Sequence, residues 1–551
     1  MKDMALWQEA DWIAAIGTVA LLVFLAIGAF AVTRKEPEFA GHPKGLYVLF
    51  FAEMWERFSY YGMRALLTLY LVKHWLYSDG DATIIYGAYT SLVYITPVLG
   101  GWLADRYLGQ RKAVAFGAVL LTLGHFFMAF EGDAAAGYQN NPAVNIFWLA
   151  LSFIIVGSGF LKANISVIVG QLYKMSDSRR DAAYTIFYMG VNVGAALGTI
   201  LVGYLGETIG WAYGFGLAGI GMVIGLIIFV LGKPALRGRG EPPEPARLKQ
   251  KVMGLDLEWF LYLAGFAGVA VIWVMIQYQS IVGGLMLASG VALLAYVLFE
   301  AFKLDSDARD RVFAMIFFIL LQPVFWGLFE QAGGSVNLFT DRFVDRQGVP
   351  ASIFQSINPI YIILLGPIFA MLWQWLGRKG WEPSTPAKMG LGIAQMGFAF
   401  IVLVWGANSV GAAAVPVLFI FLFYLFSTTG ELCLSPVGLS AMNRLSVRHM
   451  ASLMMAAWFF GTAGGNYVAG FLGSIMGEGE GGEITREGAL GLYWTMGLVA
   501  IGVGLFVVLV SPLVKKLMHL DKLTDDSVGD DLLGQQEGPG EAMGAGVHPA
   551  T

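Results

Sequence analysis

Between Tyr47 and Leu76 an apolar run long enough to cross a bilayer carries two acids and two guanidiniums: Glu53, Glu56, Arg57 and Arg64. With Tyr60 they are spaced i, i+3, i+4, i+7 and i+11, which at 3.6 residues per turn is one stripe along a single helix face. Each charge would cost about 2.5–3.5 kcal/mol in hydrocarbon on an insertion scale. A helix keeps such groups only where they face a bundle interior or a watery cavity and find partners there. The rest of the chain therefore has to wall this stripe in.

The composition supplies the walls. Of 551 residues, 57% are hydrophobic and 13% charged, against about 25% charged in soluble domains, and the mean hydropathy is +0.66. This is an all-α membrane protein, with the lipid bilayer as its solvent. A pI near 5.8 and the lack of a basic run argue against a nucleic-acid partner. The lone cysteine, Cys433, can form no internal disulfide. Six scattered histidines show no metal-ligand spacing, so no metal and no cofactor is expected.

Apolar runs predict fifteen spans. One lies at 12–32; six near 46–75, 83–104, 112–130, 144–172, 182–205 and 211–231; two near 257–277 and 281–302; and six near 311–334, 351–377, 388–406, 412–443, 449–476 and 488–514. The chain then divides into an extra N-terminal helix (1–35), a first six-helix bundle (44–231), a linker with two inserted helices (232–302), a second six-helix bundle (310–516) and a tail (517–551). The linker is polar and proline-rich around Glu241-Pro-Pro-Glu-Pro245, and the tail is rich in Gly, Asp and Glu and expected to be disordered.

Charge sets the orientation. With Met1 outside and sides alternating, cytoplasmic segments hold 26 of the 34 Lys and Arg, and outer segments hold five: Lys2, Lys73, Arg342, Arg346 and Arg486. That asymmetry is the positive-inside pattern and puts Thr551 in the cytoplasm. Ala29-Phe30-Ala31 would suit a signal-peptide cleavage site, but Asp3, Glu9 and Asp11 before the first run and Arg34-Lys35 after it favour a retained helix. Without the first run and the inserted pair, the intramembrane charges fall on core spans 1 (the stripe), 4 (Lys162), 7 (Glu330) and 10 (Glu431). Each is the first helix of a group of three, which suggests repeated units facing one central cavity.

Gly101-Trp-Leu-Ala104-Asp105-Arg106-Tyr-Leu-Gly109-Gln-Arg111-Lys112, between spans 2 and 3, is similar to the signature loop of the major facilitator superfamily, whose Asp-Arg pair and following basic residues brace the cytoplasmic side. Longer matches narrow this: ExxERFxYYG from Glu53 to Gly62, Phe187-Tyr-Met-Gly190-Val-Asn192, Phe325-Trp326-Gly-Leu-Phe-Glu330-Gln331, and Gly430-Glu431-Leu-Cys-Leu-Ser435-Pro436. Together, from about Gly45 to Leu517, they resemble the proton-dependent oligopeptide transporter family in its bacterial form, with two extra helices between the halves. The span at 12–32 lies outside the resemblance.

The resemblance implies a proton-coupled symporter that imports di- and tripeptides across the bacterial inner membrane, with a monomer expected to function. It implies that Arg57 and Lys162, with Tyr60, Tyr61 and Tyr94, hold the peptide carboxylate, and that Asn192, Asn358 and Glu431 hold its α-amino group. Trp326, Trp458 and Ser435 would shape side-chain pockets. Glu53 and Glu56, with Arg57 and Glu330, would couple protons. Arg64–Glu330 and Lys162–Glu431 would be ion pairs between the halves, made and broken during transport. Span 2 lacks the histidine of animal relatives, so coupling has to run through carboxylates.

The residue types suit this chemistry on their own terms. A short peptide is a zwitterion, and cations on spans 1 and 4 opposite an anion on span 10 match its polarity. Neighbouring buried carboxylates resist carrying two charges at once, so one can hold a proton. Read without the resemblance, Tyr94, Trp326 and Trp458 would be packing aromatics and Asn192 and Asn358 interhelical hydrogen-bond donors. A carrier of another small zwitterion or anion, such as an amino acid or nitrate, is the alternative. An intramembrane enzyme is a more distant one, since the chain offers no nucleophile–base pair and no phosphate loop.

Overall fold

The first core helix is α1 (Lys44–Lys73), and its charged stripe is enclosed by the helices that follow: α2 (Asp79–Leu103), α3 (Gln110–Met128), α4 (Val144–Gln171), α5 (Arg180–Thr208) and α6 (Trp211–Leu231). The computed structural model describes Gly17 and residues 38–522, apart from 133–136, 140, 175–176, 178, 448–449 and 478–481. The span expected at 12–32 and the tail beyond 522 lie outside these residues. Two inserted helices, α7 (Leu257–Ile276) and α8 (Gln279–Ala301), precede the second half. That half holds α9 (Ser306–Phe329), the short α10 (Ser335–Phe343), α11 (Ile357–Arg378), α12 (Thr385–Ser409), α13 (Leu418–Leu445), α14 (Ala451–Met476) and α15 (Arg486–Leu517).

Among the described residues, 12 spans are long and apolar enough to cross a membrane. Two further long helices, α1 and α14, fall outside that set. The charges of α1 and the small residues and Asn466 of α14 lower their hydropathy, and both are instead enclosed by their neighbours. Side-chain oxygens cap the starts of three helices: Ser78 accepts from Asp81 N, Asp305 from Ala308 N and Thr485 from Gly488 N.

One apolar core is built mainly from residues 46–286 and a second mainly from 297–518. The packing scheme repeats. In the first half α1 packs on α5 and α6, α2 on α4, and α3 on α4 and α6. In the second, α9 packs on α14 and α15, α11 on α13, and α12 on α13 and α15. Each pairing has its counterpart, as expected of an internal repeat. The halves meet where α2 lies along α14 and α5 along α11. At the α2–α14 seam the backbones touch: a Cβ on Gly87 would stand 2.6 Å from the Cα of Gly470.

The seventh core span differs from the sequence expectation of an unbroken helix through residue 334. The α-helix stops at Phe329, Glu330–Ala332 form a single tighter turn, and α10 begins only at Ser335. Gly333 and Gly334 account for the break, because glycine loses more conformational freedom in a helix than any other residue. Glu330 therefore sits at a helix end rather than on a helix face.

The linker is fastened to the first half. Leu236 and Leu248 are buried in its core. Arg111 forks onto Glu241, with Nε at 2.8 Å and Nη2 at 2.9 Å from the two carboxylate oxygens, and its backbone N–H donates to Gly240 O at 2.8 Å. Lys112 Nζ reaches Glu258 at 2.5 Å. The hydrogen bond from Arg111 holds the Glu241 carboxyl below the usual carboxylate range. The close approach requires Gly109, whose φ is +72° and whose side chain, if it had one, would meet Glu241 and Pro242. The basic residues of the signature loop thus brace against the linker.

Candidate functional site

Between the halves lies a cavity of about 430 Å³, within the usual range of roughly 300–1,000 Å³ for small-molecule sites. From the first half Tyr61, Arg64, Tyr94, Lys162 and Asn192 line it; from the second, Trp326, Glu330, Asn358, Glu431 and Ser435 do. Away from the mouth, the cations come from the first half and the carboxylates from the second. The lining runs out to Trp102 and Asp105, which are exposed, so the cavity opens toward the signature loop.

At the opposite end, bonds between the halves close it. Arg64 Nη1 reaches Glu330 Oε1 at 3.2 Å. Thr68 Oγ1 donates to Gly333 O at 2.7 Å, and Asn337 Nδ2 donates to Ala65 O at 3.0 Å. Farther out, Lys73 pairs with Asp341 at 2.7 Å. Arg342 forks onto Asp79, with Nη2 at 2.8 Å from Oδ1 and Nη1 at 2.5 Å from Oδ2. Asp79 also accepts from Ile484 N at 2.5 Å.

Within the cavity the expected Lys162–Glu431 ion pair is not made. Glu431 Oε2 accepts from Asn358 Nδ2 at 2.9 Å, and the same amide donates to Thr428 Oγ1 at 3.0 Å. Lys162 Nζ has no hydrogen-bond partner among the described residues and is buried. It lies 3.8 Å from the Tyr94 ring centre and 5.1 Å from that of Tyr60, where the ring faces offset part of the cost of the charge.

The charged stripe of α1 divides in two. Arg64, with its neighbour Tyr61, lines the cavity, but Glu53, Glu56, Arg57 and Tyr60 lie behind its wall, each at most 1% exposed. Arg57 Nε donates to Glu53 Oε1 at 2.6 Å and stands 3.0 Å from Glu56 Oε2. Two carboxylates thus share one guanidinium. Among the described residues, Glu53 Oε2, both Glu56 oxygens and Arg57 Nη2 lack aligned hydrogen-bond partners. Buried polar groups left this way are costly, and a proton on one carboxylate relieves both the excess charge and the missing donor.

Three expected residues move. Arg57 and Tyr60, expected to touch substrate directly, are covered in this conformation: Lys162 lies over the Tyr60 ring, and α5 comes so close that a side chain at Gly194 would stand 3.1 Å from the Cβ of Arg57. Trp458, expected in a side-chain pocket, is fully buried, with its ring against Gly438. The sequence reading also missed supporting residues. Tyr86 OH donates to Glu330 Oε2 at 3.0 Å, Thr428 accepts from Asn358, and Gln322 Oε1 accepts from the Trp326 indole at 2.8 Å. Gln322 could have been sought as the residue four before Trp326; no sequence signal marks Tyr86 among its neighbouring tyrosines.

Known proteins match this architecture. The sequence model of the POT family matches residues 111–486. The chain is 34% identical over 505 residues to an uncharacterized transporter, YclF, of Bacillus subtilis, covering 89% of this chain and 98% of that one. It is 33% identical over 458 residues to a di-/tripeptide transporter of Lactococcus lactis subsp. lactis, covering 78% and 88%. A crystal structure of a POT family transporter in complex with 5-aminolevulinic acid superposes with a TM-score of 0.75 at 30% identity, covering 88% of this chain and 99% of that one. The fold is accordingly that of a major facilitator type carrier with two inserted helices, in a multi-pass membrane protein. A cavity between two repeated bundles, cationic on one side and acidic on the other, and a family match over most of the chain lead to one conclusion: this protein belongs to the POT family of transporters.

Proposed function

We propose that the protein is a proton-coupled symporter that imports di- and tripeptides by alternating access. The observation that carries this reading is the pairing inside the cavity. Lys162 on the first half has no hydrogen-bond partner among the described residues, and Glu431 on the second half is held by an uncharged amide. A peptide has a carboxylate for the one and an ammonium for the other, and binding both would draw the halves together around it. The two related proteins support the same chemistry: one is named a di-/tripeptide transporter, and the other holds a molecule with an amine at one end and a carboxylate at the other.

Glu53 and Glu56, with Arg57, carry the coupling proton in this reading, with Glu330 as the carboxylate that senses closure; no cofactor takes part. The membrane is the bacterial cytoplasmic membrane, with Met1 outside and Thr551 inside, and a monomer suffices. The conformation described, closed at the Arg64–Glu330 end and open toward the signature loop, is then the inward-facing one. The chain acts as a carrier and not as an enzyme.

Purified protein in liposomes, given an inward proton gradient and a labelled dipeptide, should accumulate the dipeptide intact. Accumulation that is insensitive to the gradient would reject the coupling. Recovery of the label only as cleaved amino acids would reject a carrier. Uptake of nitrate or a free amino acid in place of peptide would reject the substrate class.

A further inference from the structure

The Glu330 carboxylate is shared between two donors from the other half. Arg64 Nη1 takes Oε1 at 3.2 Å and Tyr86 OH takes Oε2 at 3.0 Å. Arg64 thus makes a single contact where a fork onto both oxygens would be stronger. Tyr86 is 1% exposed, and its ring lies 5.9 Å from the Arg64 guanidinium carbon. Its hydroxyl also fills the space that a side chain at Gly333 would need. One tyrosine of α2 therefore touches both members of an ion pair made by α1 and the α9–α10 turn, and it fits against the glycine that breaks the span.

We propose that Tyr86 is a positioning residue for transport: it holds the ionised Glu330 carboxylate against Arg64 and releases it when Glu330 is protonated. An O–H donor stabilises a carboxylate more than a neutral acid, because a hydrogen bond to a charged partner is the stronger one. Protonation weakens the Arg64 contact and the Tyr86 contact in one event, and both cross between the halves. Tyr60 and Tyr61 of α1, Tyr94 of α2, and Tyr424 and Glu431 of α13 also lie within electrostatic range of Glu330. Among the described residues, Arg64 and Tyr86 are the ones that hydrogen-bond it. The use of this switch rests on the transport reading; its existence rests on the geometry.

The test reads conformation rather than uptake. Spin labels on Leu76 and Val349, exposed on opposite halves at the closed end, report the ratio of closed to open molecules. Tyr86→Phe should shift that ratio toward open by about tenfold or more, the effect of losing one hydrogen bond to a charged group. In the Glu330→Gln background the same substitution should shift the ratio several-fold less, because only a neutral acceptor remains. An equal shift in both backgrounds would show a merely structural role and overturn the proposal, as would no shift in either. Failure of Tyr86→Phe to accumulate as folded protein would overturn it too, since the proposal gives the hydroxyl no other task. If the unmodified protein takes up no peptide while the labels still respond, the transport reading fails and the switch stands.

Discussion

Lys162 and Glu431 face the same cavity from opposite halves without pairing: Glu431 is bound by Asn358 at 2.9 Å, and Lys162 rests on the ring of Tyr94 at 3.8 Å. A desolvated charge without its partner is the arrangement most sensitive to a ligand that brings one. Removing such a charge typically costs about 2–5 kcal/mol of binding, roughly 30-fold to several thousand-fold in affinity. Lys162→Ala should therefore lose its preference for peptides with a free C-terminal carboxylate while keeping that for a free amine. Glu431→Gln should show the reverse. Competition assays with N-blocked and C-blocked dipeptides give the cross-pattern, and an equal loss for all ligands would refute it.

Glu56 has no aligned hydrogen-bond donor and shares Arg57 with Glu53. Glu56→Gln removes the protonation without changing the shape. Gradient-driven uptake should then fall to background, while counterflow exchange of peptide across the same liposomes persists. Retained gradient-driven uptake in the Glu53→Gln, Glu56→Gln double variant would place the proton elsewhere.

The α2–α14 seam leaves no room at Gly87. A methyl group there would stand 2.6 Å from Gly470 Cα, and overpacking of this kind costs about 1–3 kcal/mol. Since the seam closes one end of the cavity, Gly87→Ala should favour opening there. Cysteines placed at Lys73 and Asp341, which touch in the closed form, should cross-link several-fold more slowly in that variant.

The Arg111–Glu241 clamp carries a pH signature. The folded carboxyl is held below its ordinary value of 4.5. Its contribution is therefore complete above that value and is lost as the pH falls through the folded value. Because Glu241 is 36% exposed, the contribution is at most about 1 kcal/mol. Deuterium exchange of linker amides at neutral pH should rise modestly in Glu241→Gln. The unmodified protein should approach that level only in acid.

Orientation can be tested separately. A reporter active only in the cytoplasm should work when fused after Thr551 and fail when fused before Met1. Activity from both fusions would mean that the run at 12–32 does not span.

Helices and cavity-facing charges were legible in the sequence because hydrocarbon enforces them: an intramembrane charge must face inward, and the first helices of the triplets were where such charges fell. Depth within the bundle was not legible. Arg57 and Arg64 share one face of α1, yet one is covered and the other lines the cavity. The cover comes from Lys162 and from the close approach of α5 at Gly194, and no spacing along α1 encodes either. The break after Phe329 was written in Gly333-Gly334, but glycine is common in this chain, 71 of 551 residues, and its local signal was diluted. Trp458 and Tyr86 are known apart from other aromatics only by what packs against them.

The fastened linker decides where the covalent chain between the halves has its slack. Residues 232–256 are held to the first half, and α7 continues that attachment along α4; α8 starts in the first core with Val282 and Met286, runs along α14 with contacts to α2 and α9, and ends in the second core with Val297 and Ala301. Between Ile276 and Gln279 only Gln277 and Tyr278 separate the two helices. This elbow lies on the first-half side, and the covalent crossing between the halves is made along α8, not at the prolines. A helix as little buried as α8 carries little load, so force between the halves has to travel through the ligand, the protons and the seams. A chain cut at the elbow and expressed as two pieces would keep every contact through which that force passes.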